Sequence, residues 1–317
     1  MGPPHLTLKV KLFVRVLEWF TDFSFRRNGT VNRWLIRLID FKAYPSGRSV
    51  DGVTTSDTTV DSSRNLWYRY FLPQVPGNHP VVVYFHGGGF VMLSPCSQLF
   101  DDLCRRLARE IPAVVVSVNY RLAPEHRCPA PYEDGVDVLK FIDENQPANA
   151  DLTRCFIVGD SAGGNIAHHV TARVGDHNYQ NLQIRGVILI QPFFGGEERT
   201  ESEIQLEGAP LVSMKGTDWC WKAFLPEGSN RNHPAANVFW QNPNAMSGLS
   251  FPRSLVFMGG FDPLRDWQRR YCDGLETSGI EVERADYPDA MHFFYGFPEL
   301  PESTQFLTRL RNFIYPQ

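Results

Sequence analysis

Residues 159–163 read Gly-Asp-Ser-Ala-Gly and directly follow the apolar run Cys155-Phe156-Ile157-Val158. A serine between two minimal residues at the end of a strand fits a sharp strand-to-helix turn, because strained backbone there leaves no room for larger neighbours. Such a turn lifts the Ser161 hydroxyl out of a sheet. It also leaves the N–H groups at the next helix N-terminus free to face an anion. The pentapeptide alone also fits a tight turn without chemistry, so its meaning depends on what the rest of the chain supplies.

Upstream, Pro80-Val81-Val82-Val83-Tyr84-Phe85 has the continuous apolar character of a buried strand and breaks into His86-Gly87-Gly88-Gly89-Phe90. Three successive glycines let the backbone approach a ligand closely and point N–H groups at it. Paired with a downstream serine elbow, such a loop completes an oxyanion hole, with expected donors Gly88, Gly89 and Ala162. An acid and a histidine should then follow the serine in that order. Ser254–Met258 is a further strand run, ending at Gly259-Gly260-Phe261-Asp262-Pro263, so Asp262 stands just past a strand tip. Val282–Tyr287 alternates like an edge strand, and the loop after it carries His292. Asp266 and Asp289 compete as the acid, but a strand tip places Asp262 more rigidly. His168 and His169 fall inside a helix beginning near Gly163 and face different directions, which is not an i, i+4 ligand pair. His5, His79, His126, His177 and His233 lie in polar or turn contexts. No metal or organic cofactor is expected.

These motifs, together with Asn119-Tyr120-Arg121-Leu122-Ala123-Pro124-Glu125-His126, Gly164-Asn165 and Asp262-Pro263-Leu264-Arg265-Asp266, resemble the plant carboxylesterases of the hormone-sensitive-lipase-like group of α/β-hydrolases. The resemblance spans residues 81–297. Three further stretches, Arg26–Arg33, Phe194–Glu203 and Asp218–Gly228, resemble the soluble gibberellin receptors, which are esterase relatives that keep the serine, lack the histidine and close an N-terminal lid over the hormone. The receptors carry an aliphatic residue at the place of His292 and Gly-Gly-Ser at the place of Gly87-Gly88-Gly89. Their Asp-Arg pair corresponds to Gly216-Thr217, and an aromatic hydroxyl they use falls at Phe100, whereas Tyr295 matches a receptor tyrosine. The balance implies a working hydrolase in which Ser161, His292 and Asp262 form a triad and transfer an acyl group in two steps. A receptor-like ligand-binding protein and a lyase or cyclase of specialised metabolism on the same framework are the alternatives. Val91, Met92, Leu93, Phe100, Leu211, Val212, Phe293 and Phe294 are expected to frame an apolar pocket for a small ester, joined by Tyr295 through the receptor match, while the aromatics among them fit ordinary core equally well.

Length and composition fit an α/β-hydrolase fold of one domain over residues 1–317, with 43% apolar residues to fill its core. A formal charge of −4 supplies no field for nucleic acid. Residues 1–50 hold nine Lys/Arg against three Asp/Glu, which reads as a solvated lid face rather than a membrane-surface helix. Lys9, Lys11, Arg15 and Glu18 interrupt any signal-peptide core, and no run is long enough to span a membrane. Six cysteines without paired spacing suggest reduced thiols and a cytoplasmic location, with the nucleus also open. Asn28-Gly29-Thr30 matches a glycosylation sequon, but a turn is the expectation in the absence of a secretory signal.

Strands are expected at 66–71, 81–85, 113–118, 155–159, 186–191, 254–259 and 282–287. Helices are expected at 99–110, 132–145, 163–173, 219–224, 266–278 and 301–314. The alternation implies a mostly parallel central sheet flanked by helices, with chemistry at the carboxyl ends of its strands. Ser46–Ser63 and part of Gly228–Ser250 read as loops. Residues 1–45 form an N-terminal helical cap and about 195–230 a second cap segment. In the first, Leu8, Val10, Leu12, Val14, Leu17 and Phe20 suggest an amphipathic helix packing one face downward.

Overall fold

The computed structural model describes residues 6–175 and 177–316, so His5 lies outside the described residues. Its frame is one eight-stranded sheet. The strands are β1 (Val53–Asp61), β2 (Leu66–Pro73), β3 (His79–Phe85), β4 (Val114–Asn119), β5 (Ala150–Asp160), β6 (Ile184–Ile190), β7 (Ser254–Phe261) and β8 (Val282–Met291). They lie in the order β1-β2-β4-β3-β5-β6-β7-β8. From β4 to β8 all neighbours are parallel, while β1 and β2 are antiparallel to what they pair with. Every strand read from the sequence is present. β1 is the exception in the other direction, because the stretch Ser46–Ser63 reads as a loop yet contains it. Its Thr- and Asp-rich sequence is that of an outer strand paired on one side only, largely open to solvent beyond Val53 and Thr55.

The helices are α1 (Leu8–Ser24), α2 (Arg33–Ile39), α3 (Gln98–Glu110), α4 (Ala130–Glu144), α5 (Ala162–Val174), α6 (Glu201–Gln205), α7 (Met214–Phe224), α8 (Arg265–Thr277) and α9 (Pro301–Ile314). The sheet is covered on both faces, which explains why β3 is buried at every position. Val81, Val83 and Phe85 enter one core cluster, and Val82 and Tyr84 enter the other, as the two-residue period of a strand requires. α1 is the amphipathic helix expected, but with a difference. Val10 and Val14 are buried and Leu17 is half-buried, whereas Leu8 and Leu12 point into solvent. The helix carries two apolar stripes, and only one of them faces the protein.

Candidate active site

Four strand tips meet at one end of the sheet. β5 ends at Asp160, and Ser161 makes the turn into α5 with φ 50° and ψ −117°, a conformation strained for any residue with a side chain. The small neighbours are required by contact. A Cβ on Gly159 would stand 2.1 Å from Gly163 O, and one on Gly163 would stand 1.9 Å from Phe85 O. No side chain larger than hydrogen fits either place, so the elbow read from the sequence has its steric cause in these two approaches.

Ser161 Oγ lies 3.0 Å from His292 Nε2, and His292 Nδ1 lies 2.8 Å from Asp262 Oδ2. The structure therefore brings together the three residues expected from their order in the chain. Asp266 instead accepts from the N–H of Ser202, and Asp289 is exposed, so neither competes for the imidazole. Asp262 is fully buried and accepts three further bonds, from Gln268 Nε2 (2.8 Å), Leu264 N (3.0 Å) and Gln191 Nε2 (3.1 Å). With three donors on Oδ2 and one on Oδ1, the carboxylate has one orientation and so has the ring it holds. Burial works against a charged His292, but the Asp262 carboxylate at Nδ1 outweighs it, aided by Asp160, and the pKa stands above the ordinary 6.5.

Gln191 and Gln268 are functional neighbours the sequence reading misses. Gln191, just past β6 at φ 45°, donates to both Asp262 and Met291 O and accepts from Phe293 N (2.8 Å), so one amide ties the acid to the histidine loop. The signal available was a lone polar residue at the tip of an otherwise apolar strand, beside the elbow.

In the glycine loop, Gly88 and Gly89 take φ of +108° and +61°, in the left-handed region that favours glycine. A Cβ on Gly88 would meet Met92 O at 2.4 Å. Gly87 is different, since its N–H donates to Asp160 Oδ1 at 2.8 Å. Among the described residues, the N–H groups of Gly88, Gly89 and Ala162 find no protein acceptor and remain available to an oxyanion. Asp160 also accepts from Tyr84 and Tyr295 hydroxyls, and burial raises its pKa to about 6 against the pull of those donors. His86 stiffens the loop from behind. Burial lowers its pKa to about 4, so the ring is neutral, and Nδ1 must carry the proton it donates to Gly87 O at 2.7 Å.

Over this floor lies a cavity of about 330 Å³. Phe100, Leu211, Val212 and Phe293 line it as expected, with Met92 and Leu93. Val91 and Tyr295 do not: both are fully buried, Tyr295 because its hydroxyl is turned to Asp160, and Phe294 is likewise sealed in the core. The roof comes from α1, through Arg15, Leu17, Glu18, Thr21 and Asp22, and from residues 208–217. Glu18 accepts from Leu211 N (3.0 Å), Trp219 donates to Arg26 O (2.9 Å), and Phe25 stacks on Trp219 at 4.2 Å. Arg33 fastens the N-terminal segment to the floor, donating to Val91 O, to Ala123 O (2.8 Å) and to Glu125. His168 and His169 are packed apart from the site, one on the Tyr271 hydroxyl and the other on Ala235 O.

Comparison with known proteins agrees with this geometry. An α/β-hydrolase-fold family model matches residues 82–296. The gibberellin receptor GID1C of Arabidopsis thaliana is 41% identical over 86% of this chain and 84% of its own length. Carboxylesterase 20 of the same plant is 38% identical, over 80% of this chain and 83% of its own. Among solved structures, an esterase of Pyrobaculum calidifontis superposes with a TM-score of 0.74 at 28% identity, covering 99% of this chain and 94% of that one. The chain belongs to the α/β-hydrolase fold family, within the hormone-sensitive-lipase-like group of plant carboxylesterases.

Proposed function

We propose that this chain is a serine carboxylesterase acting on carboxylic esters of small, largely apolar molecules. The observation that carries the reading is the unbroken line from Ser161 Oγ through His292 to Asp262, set beneath an apolar cavity and beside N–H groups without a protein acceptor. His292 Nε2 takes the Ser161 proton as Oγ attacks the ester carbonyl. The oxyanion then falls to Gly88, Gly89 and Ala162, where each such donor contributes about 10²–10³ in rate. The imidazolium returns its proton to the leaving alcohol, and water, deprotonated by the same ring, releases the acid from the acyl-enzyme. A cavity of about 330 Å³ sits at the small end of ligand pockets and suits a compact acyl or alcohol group.

The test is labelling by an organophosphonate with turnover of p-nitrophenyl acetate and butyrate. The expected result is one phosphonyl group on Ser161 and steady hydrolysis. A receptor-like role is the second reading, favoured by the roof that α1 closes over the cavity and by 41% identity to a gibberellin receptor. An unlabelled serine, no turnover, and micromolar or tighter binding of a gibberellin would establish that reading instead.

A further inference from the structure

The second apolar stripe of α1 faces away from the cavity and from everything else in the described structure. Leu8, Leu12, Val16, Trp19 and Phe23 recur at spacings of four and three, and at about 100° per residue they fall within about 80° of the helix circumference. Their exposure is high where core packing would make it low: Leu8 84%, Leu12 65%, Trp19 55% and Phe23 60%. The neighbouring α2 and the segment after it expose Trp34, Leu38 and Phe41 as well. Scattered surface hydrophobics need no explanation, but a row along one helix, with further exposed apolar side chains on the helix packed beside it, is a contact surface.

Charge selects the occupant. The first 50 residues hold nine Lys/Arg against three Asp/Glu, and the remainder holds 22 against 32. Lys9, Lys11 and Arg15 are exposed on α1 itself, with Arg26, Arg27 and Arg37 on the segments that follow. Two of the three acids are engaged, Glu18 with Leu211 N and Asp40 with Lys42. A positive rim around Leu, Trp and Phe side chains, on an otherwise acidic protein, has the composition of helices that lie in a lipid interface. Among the described residues no helix is long and apolar enough to cross a membrane, so contact through this face would be with a surface.

We propose that the outer face of α1 and α2 docks on an anionic phospholipid surface. The row of apolar side chains enters the headgroup boundary while the lysines and arginines beside it meet lipid phosphates and carboxylates. Leu17, Glu18 and Thr21, on another side of the same helix, line the cavity. Docking therefore places a single helix between the bilayer and the site, where esters partitioned into the lipid are concentrated.

The full chain is sedimented with vesicles of phosphatidylcholine alone and of phosphatidylcholine with about one third phosphatidylserine. Binding should be roughly tenfold or more stronger to the anionic vesicles and should weaken as salt rises. The double variant Leu12→Gln/Trp19→Gln should lose roughly tenfold or more in binding, from the apolar area withdrawn, with an unchanged melting temperature because both side chains are exposed. Lys9→Glu/Lys11→Glu should abolish the preference for phosphatidylserine. Binding that ignores the Leu12/Trp19 replacement would be mere charge attraction and would overturn the proposal. So would failure to bind either vesicle, or a solution dimer that the same replacement splits, which would make the face a contact between copies of this chain. None of these outcomes depends on whether Ser161 is reactive.

Discussion

On the floor of the cavity, the buried Asp262 carboxylate accepts from His292, Gln191, Gln268 and Leu264, so its position is fixed from four directions. On the roof, α1 reaches residues 208–217 through a hydrogen bond from Leu211 N to Glu18, the one such bond among the described residues, and it leaves a row of large apolar side chains in water. Elements held by buried polar networks share the global stability of the fold, whereas elements with few buried contacts open at smaller expense. Under the proposed function the contrast puts the chemical step on the floor and access at the roof, so changes in the two regions should separate in kinetics.

The largest effect should come from the floor. His292→Ala should reduce ester turnover by about three to six orders of magnitude, matching Ser161→Ala because the serine and its base act as a unit. In the unaltered protein, kcat/KM should fall as pH drops through the His292 pKa, since only the neutral ring accepts the serine proton. With Asp262 holding that pKa above its ordinary value, the decline should begin on the alkaline side of 6.5, which a pH-rate profile would show. A profile flat down to pH 5 would separate the imidazole from the chemistry and break the comparison at once.

Gly88→Val should come next, with a loss of about 10²–10³ or more in kcat and a folded protein by circular dichroism. Valine at φ +108° with Met92 O at 2.4 Å cannot hold the loop in its present course. Gln191→Leu should cost about 10- to 100-fold in kcat with little change in KM, because it frees the histidine loop from the acid while leaving the cavity lining intact. A loss in KM alone would make Gln191 part of the roof's business rather than the floor's. Arg33→Ala should have the smallest effect, a few-fold rise in KM on a bulky ester and almost none on p-nitrophenyl acetate. It unfastens the N-terminal segment from Val91 O and Ala123 O without touching the triad.

What could be read from the chain follows the same division. The elbow and the glycine loop were legible because steric exclusion restricts those positions to one residue type, and the acid and base were legible because they stand at strand tips in a fixed order. Gln191 and Gln268 were not: the partners of Gln191 stand about 70 to 100 residues away and meet it only in the fold, and Gln268, six residues after Asp262, reads as one more polar position on a helix. β1 escaped because its threonines favour strands while its aspartates and serine favour loops, and pairing with Leu66–Pro73 decides between them. Tyr295 and Val91 were assigned to the pocket by kinship and proximity, but a hydroxyl one bond from Asp160 is drawn inward. The cap helix misled in a simpler way. Periodicity reports that a stripe is apolar and is silent on which of two stripes meets the protein.

Ser161 sits at φ 50° and ψ −117°. Such angles cost about 1–3 kcal/mol for a residue with a side chain and almost nothing for glycine. The proposed nucleophile is therefore also a point of tension in the fold, and Ser161→Gly would relax the backbone at the moment it removes the hydroxyl. Selection for heat resistance and selection for reactivity pull this one position in opposite directions. If the proposed activity holds, a more durable version of this fold has to find its added stability at a distance, in outer strands, helix ends and surface loops, and leave its own strained serine alone.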